Sequence, residues 1–271
     1  MGQILISQDH QFMENRIDKL FKVKSRNIFS VFYTAGFPAL NDTGRIAKAL
    51  EAAGVDLIEI GIPFSDPVAD GPVIQESNKI ALDNGMTLRR LMGQVREIRN
   101  DVKIPIILMG YVNPVLQYGF DDFCRDAAAA GIDGVILPDL PLFEYETEYK
   151  KLFDQHGLKN IFLISPTTSE ERIKKIDAVS NGFIYAVSAS STTGASGEFT
   201  PEQENYFKRL QGMKLQNPFL IGFGVSNKTS FDKACQFGAG AIVGSAFIRV
   251  LKTARDLTKE ISNFAREIKG Q

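Results

Sequence analysis

From Asn27 onward the chain alternates between two hydrophobic periodicities. Short aliphatic runs predict strands over residues 28–33, 57–61, 106–109, 134–137, 161–164, 183–187, 219–222 and 241–243. Apolar positions three and four apart predict helices over 42–53, 87–100, 121–130, 144–156, 170–179, 201–211 and 228–236. Glycines close several of those helices: Gly54, Gly131, Gly157, Gly182 and Gly238. Ala53-Gly54-Val55-Asp56 and Ala130-Gly131-Ile132-Asp133 repeat as helix-to-strand returns. Strands apolar on both faces are those of a parallel sheet covered by helices. Eight of them alternating with helices, with no Pro/Ser-rich linker, predict an α/β fold: one closed (β/α)8 barrel. An open doubly wound sheet is the competing architecture. It wants Gly-x-Gly-x-x-Gly after the first strand, where Tyr33-Thr34-Ala35-Gly36-Phe37-Pro38 stands.

Two interruptions add sequence to the barrel pattern. Residues 65–84 insert a loop and helix after strand two, and residues 188–200 form a long loop of small residues after strand six. The second has the composition of a mobile lid. Ahead of the first strand, Glu14-Asn15-Arg16-Ile17-Asp18-Lys19-Leu20-Phe21 predicts an extra amphipathic helix. Residues 1–12 are unlike the rest of the chain and read as an N-terminal extension, non-native or disordered, before a barrel domain over 13–271.

Strand two carries the first chemical signal. Glu59 lies inside Leu57-Ile58-Glu59-Ile60-Gly61, where an ionised carboxylate costs several kcal/mol unless something compensates. Alternation puts Leu57, Glu59 and Gly61 on one side, so a Leu57 that fills the barrel interior sends Glu59 into its mouth. Barrel active sites form at that C-terminal end. No Lys or Arg stands near a predicted strand C-terminus, so an ordinary ion pair is a poor explanation. A Glu in an apolar mouth has a raised pKa, suited to exchanging a proton near neutrality. Asp66 and Asp70 share the adjoining loop, Phe64-Ser65-Asp66-Pro67-Val68-Ala69-Asp70-Gly71-Pro72. Taken alone they are turn residues, with Asp70 a candidate cap for a helix from Pro72. Beside Glu59, Asp70 is the candidate second acid.

The last two strands suggest an anion site. Gly222-Phe223-Gly224-Val225-Ser226 follows strand seven, and Gly244-Ser245-Ala246 follows strand eight and opens a helix. Glycines admit close backbone approach, and N–H groups at a helix start point at an anion. Phosphate-binding barrels hold the group on these two loops. Thr193-Gly194 in the lid offers further donors, and Phe32, Tyr111, Tyr185 and Phe223 fall at strand ends, where they line an apolar pocket.

Composition removes several other classes. With 31 basic and 32 acidic side chains and a net charge of −1, nothing global favours nucleic acid or an anionic membrane. No apolar run approaches the roughly 20 residues of a membrane span, and the N-terminus lacks signal-peptide order. The expectation is a cytoplasmic protein. Cys124 and Cys235, both in predicted helices, read as reduced buried thiols. His10 and His156 are poorly placed for catalysis, and no metal-ligand spacing occurs. From residues alone the chain is a barrel with a phosphate anchor, two candidate acid/base carboxylates and an apolar pocket. Many sugar-phosphate isomerases, epimerases and lyases share that description.

The run Glu59-Ile60-Gly61-Ile62-Pro63-Phe64-Ser65-Asp66-Pro67-Val68-Ala69-Asp70-Gly71-Pro72-Val73-Ile74-Gln75 resembles the signature of the tryptophan synthase alpha chain family. Similarity continues through Phe32-Tyr33-Thr34-Ala35-Gly36-Phe37-Pro38, Leu108-Met109-Gly110-Tyr111-Val112-Asn113-Pro114, Pro138-Asp139-Leu140-Pro141, Ser165-Pro166-Thr167-Thr168 and Gly222-Phe223-Gly224-Val225-Ser226. The resemblance implies reversible retro-aldol cleavage of indole-3-glycerol phosphate to indole and glyceraldehyde 3-phosphate. It makes Glu59 the acid/base and Asp70 the carboxylate that holds the indole N–H. It sets Gly194, Gly222, Gly224, Gly244 and Ser245 on the phosphate, Phe32, Ile74, Tyr111, Tyr185 and Phe223 around the indole, and Thr193 on the closing loop. It implies no metal and no cofactor in this chain, and an alpha2beta2 complex whose beta chain carries pyridoxal phosphate and receives indole through a tunnel. Asp66, Pro67 and Pro141 match positions near that interface. One departure is Ala189, where some members carry Arg, which leaves the roles of Ser190 and Ser191 open. A free-standing indole-releasing lyase and a mainly regulatory binding subunit are the other readings; intact Glu59 and Asp70 weigh against the second.

Overall fold

The computed structural model describes residues 14–188 and 199–271. Its strands are β1 (Ile28–Thr34), β2 (Leu57–Gly61), β3 (Ile106–Met109), β4 (Gly134–Ile136), β5 (Lys159–Asn160), β6 (Leu163–Ile164), β7 (Ile184–Val187), β8 (Phe219–Gly222) and β9 (Gly240–Val243). All neighbouring pairs are parallel, in the order β5-β4-β3-β2-β1-β9-β8-β7-β6. The two outermost segments are consecutive in the chain, so the sheet closes into a barrel. Across the seam Ile161 N donates to Val135 O at 3.0 Å, and Tyr185 N donates to Phe162 O at 2.9 Å. The fifth expected strand, 161–164, therefore starts two residues earlier and is broken in the middle. Its first half pairs only with β4 and its second half only with β7, because each neighbour runs alongside it for just two residues.

Alternation sorts the side chains into two apolar layers. Ile28, Leu57, Ile107, Ile136, Ile161, Phe183, Tyr185, Leu220 and Ile242 fill the barrel interior, and the opposite faces pack under the helices. The expected N-terminal helix forms over Arg16–Val23 and adds Ile17 to the interior layer. Ile17 reaches it from below, against Gly134 at the start of β4 and Gly182 before β7. Polar contacts fix the helix there. Asn15 Nδ2 donates to the Asp133 and Gly157 carbonyls, and Arg16 pairs with the buried Asp133 carboxylate at 3.0 Å. Asp133 also accepts from Ile106 N, and Arg99 donates to the Val102 and Ile104 carbonyls, so the buried charges are largely satisfied. Burying Ile17 contributes roughly 1.5–3 kcal/mol, and the barrel floor is closed.

The helical expectations need two corrections. The stretch 144–156 is three pieces: Leu142–Glu144, a wider π turn over Tyr145–Tyr149, and Lys150–Gln155. The extra residue in that turn brings two anchors inward together. Tyr145 meets Phe153 and Phe162 edge-on, and Tyr149 stacks on Phe120 at 3.8 Å. The chain also forms helices Val112–Tyr118 and Leu257–Lys269 beyond the expected set; the latter buries Ile261, Phe264, Ala265 and Ile268. Cys124 and Cys235 are free and buried, as expected. No described helix is long and apolar enough to cross a membrane.

Candidate active site

Register sets the height of Glu59 in the barrel. Ser30 of β1 stands opposite Leu57, and Phe32 opposite Glu59, so Glu59 lies one inward-facing level nearer the mouth than the Leu57 layer. The residue is 0% exposed. Its Oε1 accepts a 2.8 Å hydrogen bond from Ser30 Oγ, while Oε2 has no partner among the described residues. Burial pushes its pKa up to about 8, and the Ser30 hydroxyl pulls in the opposite direction. No cation enters that balance. Glu59 is therefore a group that holds or releases a proton near neutral pH.

Asp70 sits in the loop after β2, shaped by Val68 N donating to Asp66 O and Asp70 N to Pro67 O. The next helix, Pro72–Asp83, begins at a Gly71 cap with no side-chain hydrogen bond. That overturns the capping alternative for Asp70: its carboxylate accepts from the Tyr111 hydroxyl at 3.3 Å instead. Burial raises its pKa to about 6, and the Tyr111 bond opposes the rise. Tyr111 follows β3, and its oxygen also accepts from Ala69 N at 3.1 Å, so the two loops are laced together. Tyr185 on β7 feels the charge of both carboxylates. Burial and the Glu59 and Asp70 charges hold its phenol firmly protonated.

Aromatic side chains gather at the same end. Phe32 lies across Gly61, where an added Cβ would come within 2.7 Å of its ring. Tyr185 lies edge-on to Phe223, ring centres 6.2 Å apart, and Tyr111 tilts on Phe64 at 5.1 Å. Ile74, in the first turn of Pro72–Asp83, is half-buried against the outer core. Gly222 has a reason of its own to be glycine: a Cβ would stand 2.3 Å from the Tyr185 hydroxyl.

The turns after β8 and β9 each lead into a helix. Phe223 and Gly224 are both left-handed, with φ of +66° and +79°. An aromatic residue held there is strained. Ser188 ties the turn down, its N–H donating to Gly222 O and its hydroxyl to Phe223 O. The helix after β8, Lys228–Phe237, closes its own N-terminus with an Asn227–Ser230 capping box. The helix after β9, Ser245–Thr253, starts at Gly244 with no side-chain cap. Its first N–H groups are left for something else. Thr193 and Gly194, with Ala189, Ser190 and Ser191, lie outside the described residues.

Hydrogen bonds join the segments that follow β2, β3 and β4. Asp66 is exposed and its carboxylate accepts from the neighbouring Ser65 hydroxyl; Pro67 lies beside it, and Pro141 is the exposed residue before Leu142–Glu144. Asp139 accepts from Val112 N, joining the loops after β3 and β4. Three large apolar side chains project from these loops: Val68 at 88% exposure, Leu116 at 53% and Phe143 at 73%. Sequence reasoning missed these three and Ser30. A lone apolar residue in a polar stretch, or a serine in a strand, is too common to stand out. Among the described residues, no three His, Cys, Asp or Glu side chains gather as metal ligands.

Comparison with known proteins agrees with this layout. A family profile described as tryptophan synthase alpha chain matches residues 19–270. The tryptophan synthase alpha chain of Parabacteroides distasonis is 52% identical over 255 residues, covering 94% of this chain and 99% of that protein. That of Flavobacterium psychrophilum is 53% identical over 254 residues, with coverage of 94% and 99%. Among solved structures, the alpha subunit from Legionella pneumophila superposes with a TM-score of 0.85 at 34% identity, over 95% of this chain and 98% of that one. A chain of M. tuberculosis tryptophan synthase in its aminoacrylate-bound form gives 0.82 at 29% identity, over 94% and 98%. The profile spans residues 19–270 and these relatives cover more than nine-tenths of both chains, and the chain belongs to the tryptophan synthase alpha chain family.

Proposed function

We propose that this chain cleaves indole-3-glycerol phosphate reversibly to indole and glyceraldehyde 3-phosphate, with Glu59 and Asp70 as its two working acids. The observation that carries the reading is Glu59 itself: fully buried, held at one oxygen and unpartnered at the other, with a pKa near 8. In its protonated form Glu59 delivers a proton to indole C3. The ring nitrogen then carries positive charge, and the Asp70 carboxylate holds its N–H and stabilises that charge. The Glu59 carboxylate takes back a proton from the glycerol hydroxyl next to the ring. The bond between C3 and that carbon breaks, its electron pair returning to the ring, and the aldehyde forms. The proton given to C3 and the one taken from the hydroxyl cancel, so no co-reactant is needed.

The remaining residues bind and orient. Backbone N–H groups of Gly222, Gly224, Gly244 and Ser245, joined by Gly194, hold the phosphate; Phe32, Ile74, Tyr111, Tyr185 and Phe223 surround the indole, and Thr193 closes over it. Indole-release assays on the purified chain, alone and with a beta chain, test the activity; no release in either case overturns it. Asp70→Asn keeps the shape but loses the charge that faces the indole nitrogen. It is expected to lower kcat/KM for cleavage about a hundredfold, and unchanged turnover removes Asp70 from the mechanism.

The partner in this reading is a tryptophan synthase beta chain carrying pyridoxal phosphate, in an alpha2beta2 complex, within the cytoplasm. Its docking surface is the rim of Asp66, Pro67 and Pro141, and the exposed Val68, Leu116 and Phe143 give it an apolar centre. Phe143→Asp is expected to weaken beta-chain binding tenfold or more in calorimetry while leaving basal indole release unchanged. Wild-type affinity in that variant would move the docking surface elsewhere.

A further inference from the structure

We infer that Ser30 is a positioning residue for Glu59: its hydroxyl pins Oε1 from the barrel side, so that the proton exchanged with substrate travels on Oε2 alone. The inference rests on the acid/base reading of Glu59. Three observations carry it. Ser30 stands opposite Leu57, one inward level deeper than Glu59, so its hydroxyl approaches from beneath. Both residues are fully buried, and the contact is 2.8 Å, within the range of a strong hydroxyl–carboxylate bond. The other oxygen is buried without a partner among the described residues.

A serine hydroxyl has one proton to donate, and here it goes to Oε1. When Glu59 is ionised the bond stabilises its charge. When Glu59 is neutral, Oε1 remains the carbonyl-like acceptor and the acid proton resides on Oε2. Both states keep the same side-chain orientation, so proton delivery and recovery occur at one place. An alanine or valine at position 30 fills the same strand site and gives none of this. The hydroxyl also counters burial, which alone drives the acid too far towards its neutral form.

The test combines the pH dependence of indole release with infrared difference spectroscopy of the Glu59 carboxyl, assigned by its loss in Glu59→Gln. In Ser30→Ala, the Glu59 titration and the matching limb of the kcat profile are expected to move up by about one pH unit. At pH 7 Glu59 is mainly protonated in both proteins, so the fall in kcat expected there, about tenfold with KM within twofold of wild type, reports the lost orientation of Oε2 rather than the titration. Ser30→Thr restores both. A titration and pH profile within a few tenths of a unit of wild type in Ser30→Ala overturn the inference, as does Ser30→Thr behaving like Ser30→Ala. Should Ser30→Ala fail to fold by circular dichroism, Ser30→Cys, a near-isostere with a weak donor, gives the same comparison with a smaller upward shift expected. If Glu59→Gln itself retains cleavage, the acid/base reading has failed. If Glu59→Gln is inactive and the Ser30 variants are normal, only the Ser30 role is wrong.

Discussion

Glu59→Gln is expected to lower kcat for indole release by about a thousandfold, the scale of losing a general acid/base, in a protein that stays folded. The amide occupies the volume of the carboxyl, and its oxygen still accepts from Ser30. What it lacks is a proton that can leave and return. Because Phe32, Tyr185 and the glycine turns are untouched, substrate still binds, and the loss falls on kcat rather than KM. Stopped-flow turnover with matched substrate titration checks the split. Residual activity within tenfold of wild type would assign the proton transfer to another group.

The second large effect is on stability, and its sign comes from the raised pKa of Glu59. Unfolded, the carboxyl titrates near 4.5; folded, near 8. Between those values the native state binds the proton more tightly than the unfolded state, so stability falls as pH rises. The contribution is fully present below about pH 4.5, declines across the window and is lost above about pH 8. At about 1.4 kcal/mol per unit, the loss amounts to several kcal/mol. Glu59→Gln has no such slope, so its stability relative to wild type should grow steadily from pH 4.5 to 8 and then level off. Urea unfolding at a series of pH values measures the difference. Asp70, raised to about 6, acts in the same direction but is common to both proteins and drops out. Parallel stability curves for the two proteins would mean that Glu59 is already ionised at low pH in the fold.

The barrel was legible because its evidence is local. Apolar runs, helix spacing and stop glycines are each read within a dozen residues, and Glu59 announced itself by being charged in such a run. Features set by distant pairing were not legible. Ser30 and Glu59 are neighbours only once β1 and β2 are in register. The break in the fifth strand depends on where β4 and β7 end, not on residues 161–162 themselves. Gly222 suited a phosphate turn, yet the Tyr185 ring, from another strand, independently requires the missing side chain. Val68, Leu116 and Phe143 stand out only once the fold leaves them exposed. The wider turn at Tyr145 answers to Phe153 and Phe162, which no helical spacing encodes.

Ile17 gives the barrel the character of a flask with a stoppered base. Cargo that enters through the neck has no drain beneath it, so arrival and departure share one doorway. The glycine turns of β8 and β9 stand on one side of that doorway and Asp70 with the apolar rim on the other. In the proposed reading the two products part to opposite lips of the neck, the phosphorylated one at its glycine berth and the aromatic one beside the surface where a second protein would settle. Traffic through the flask is then a matter of queueing. In that reading a partner seated on the rim would govern when the next substrate is admitted simply by standing where indole departs.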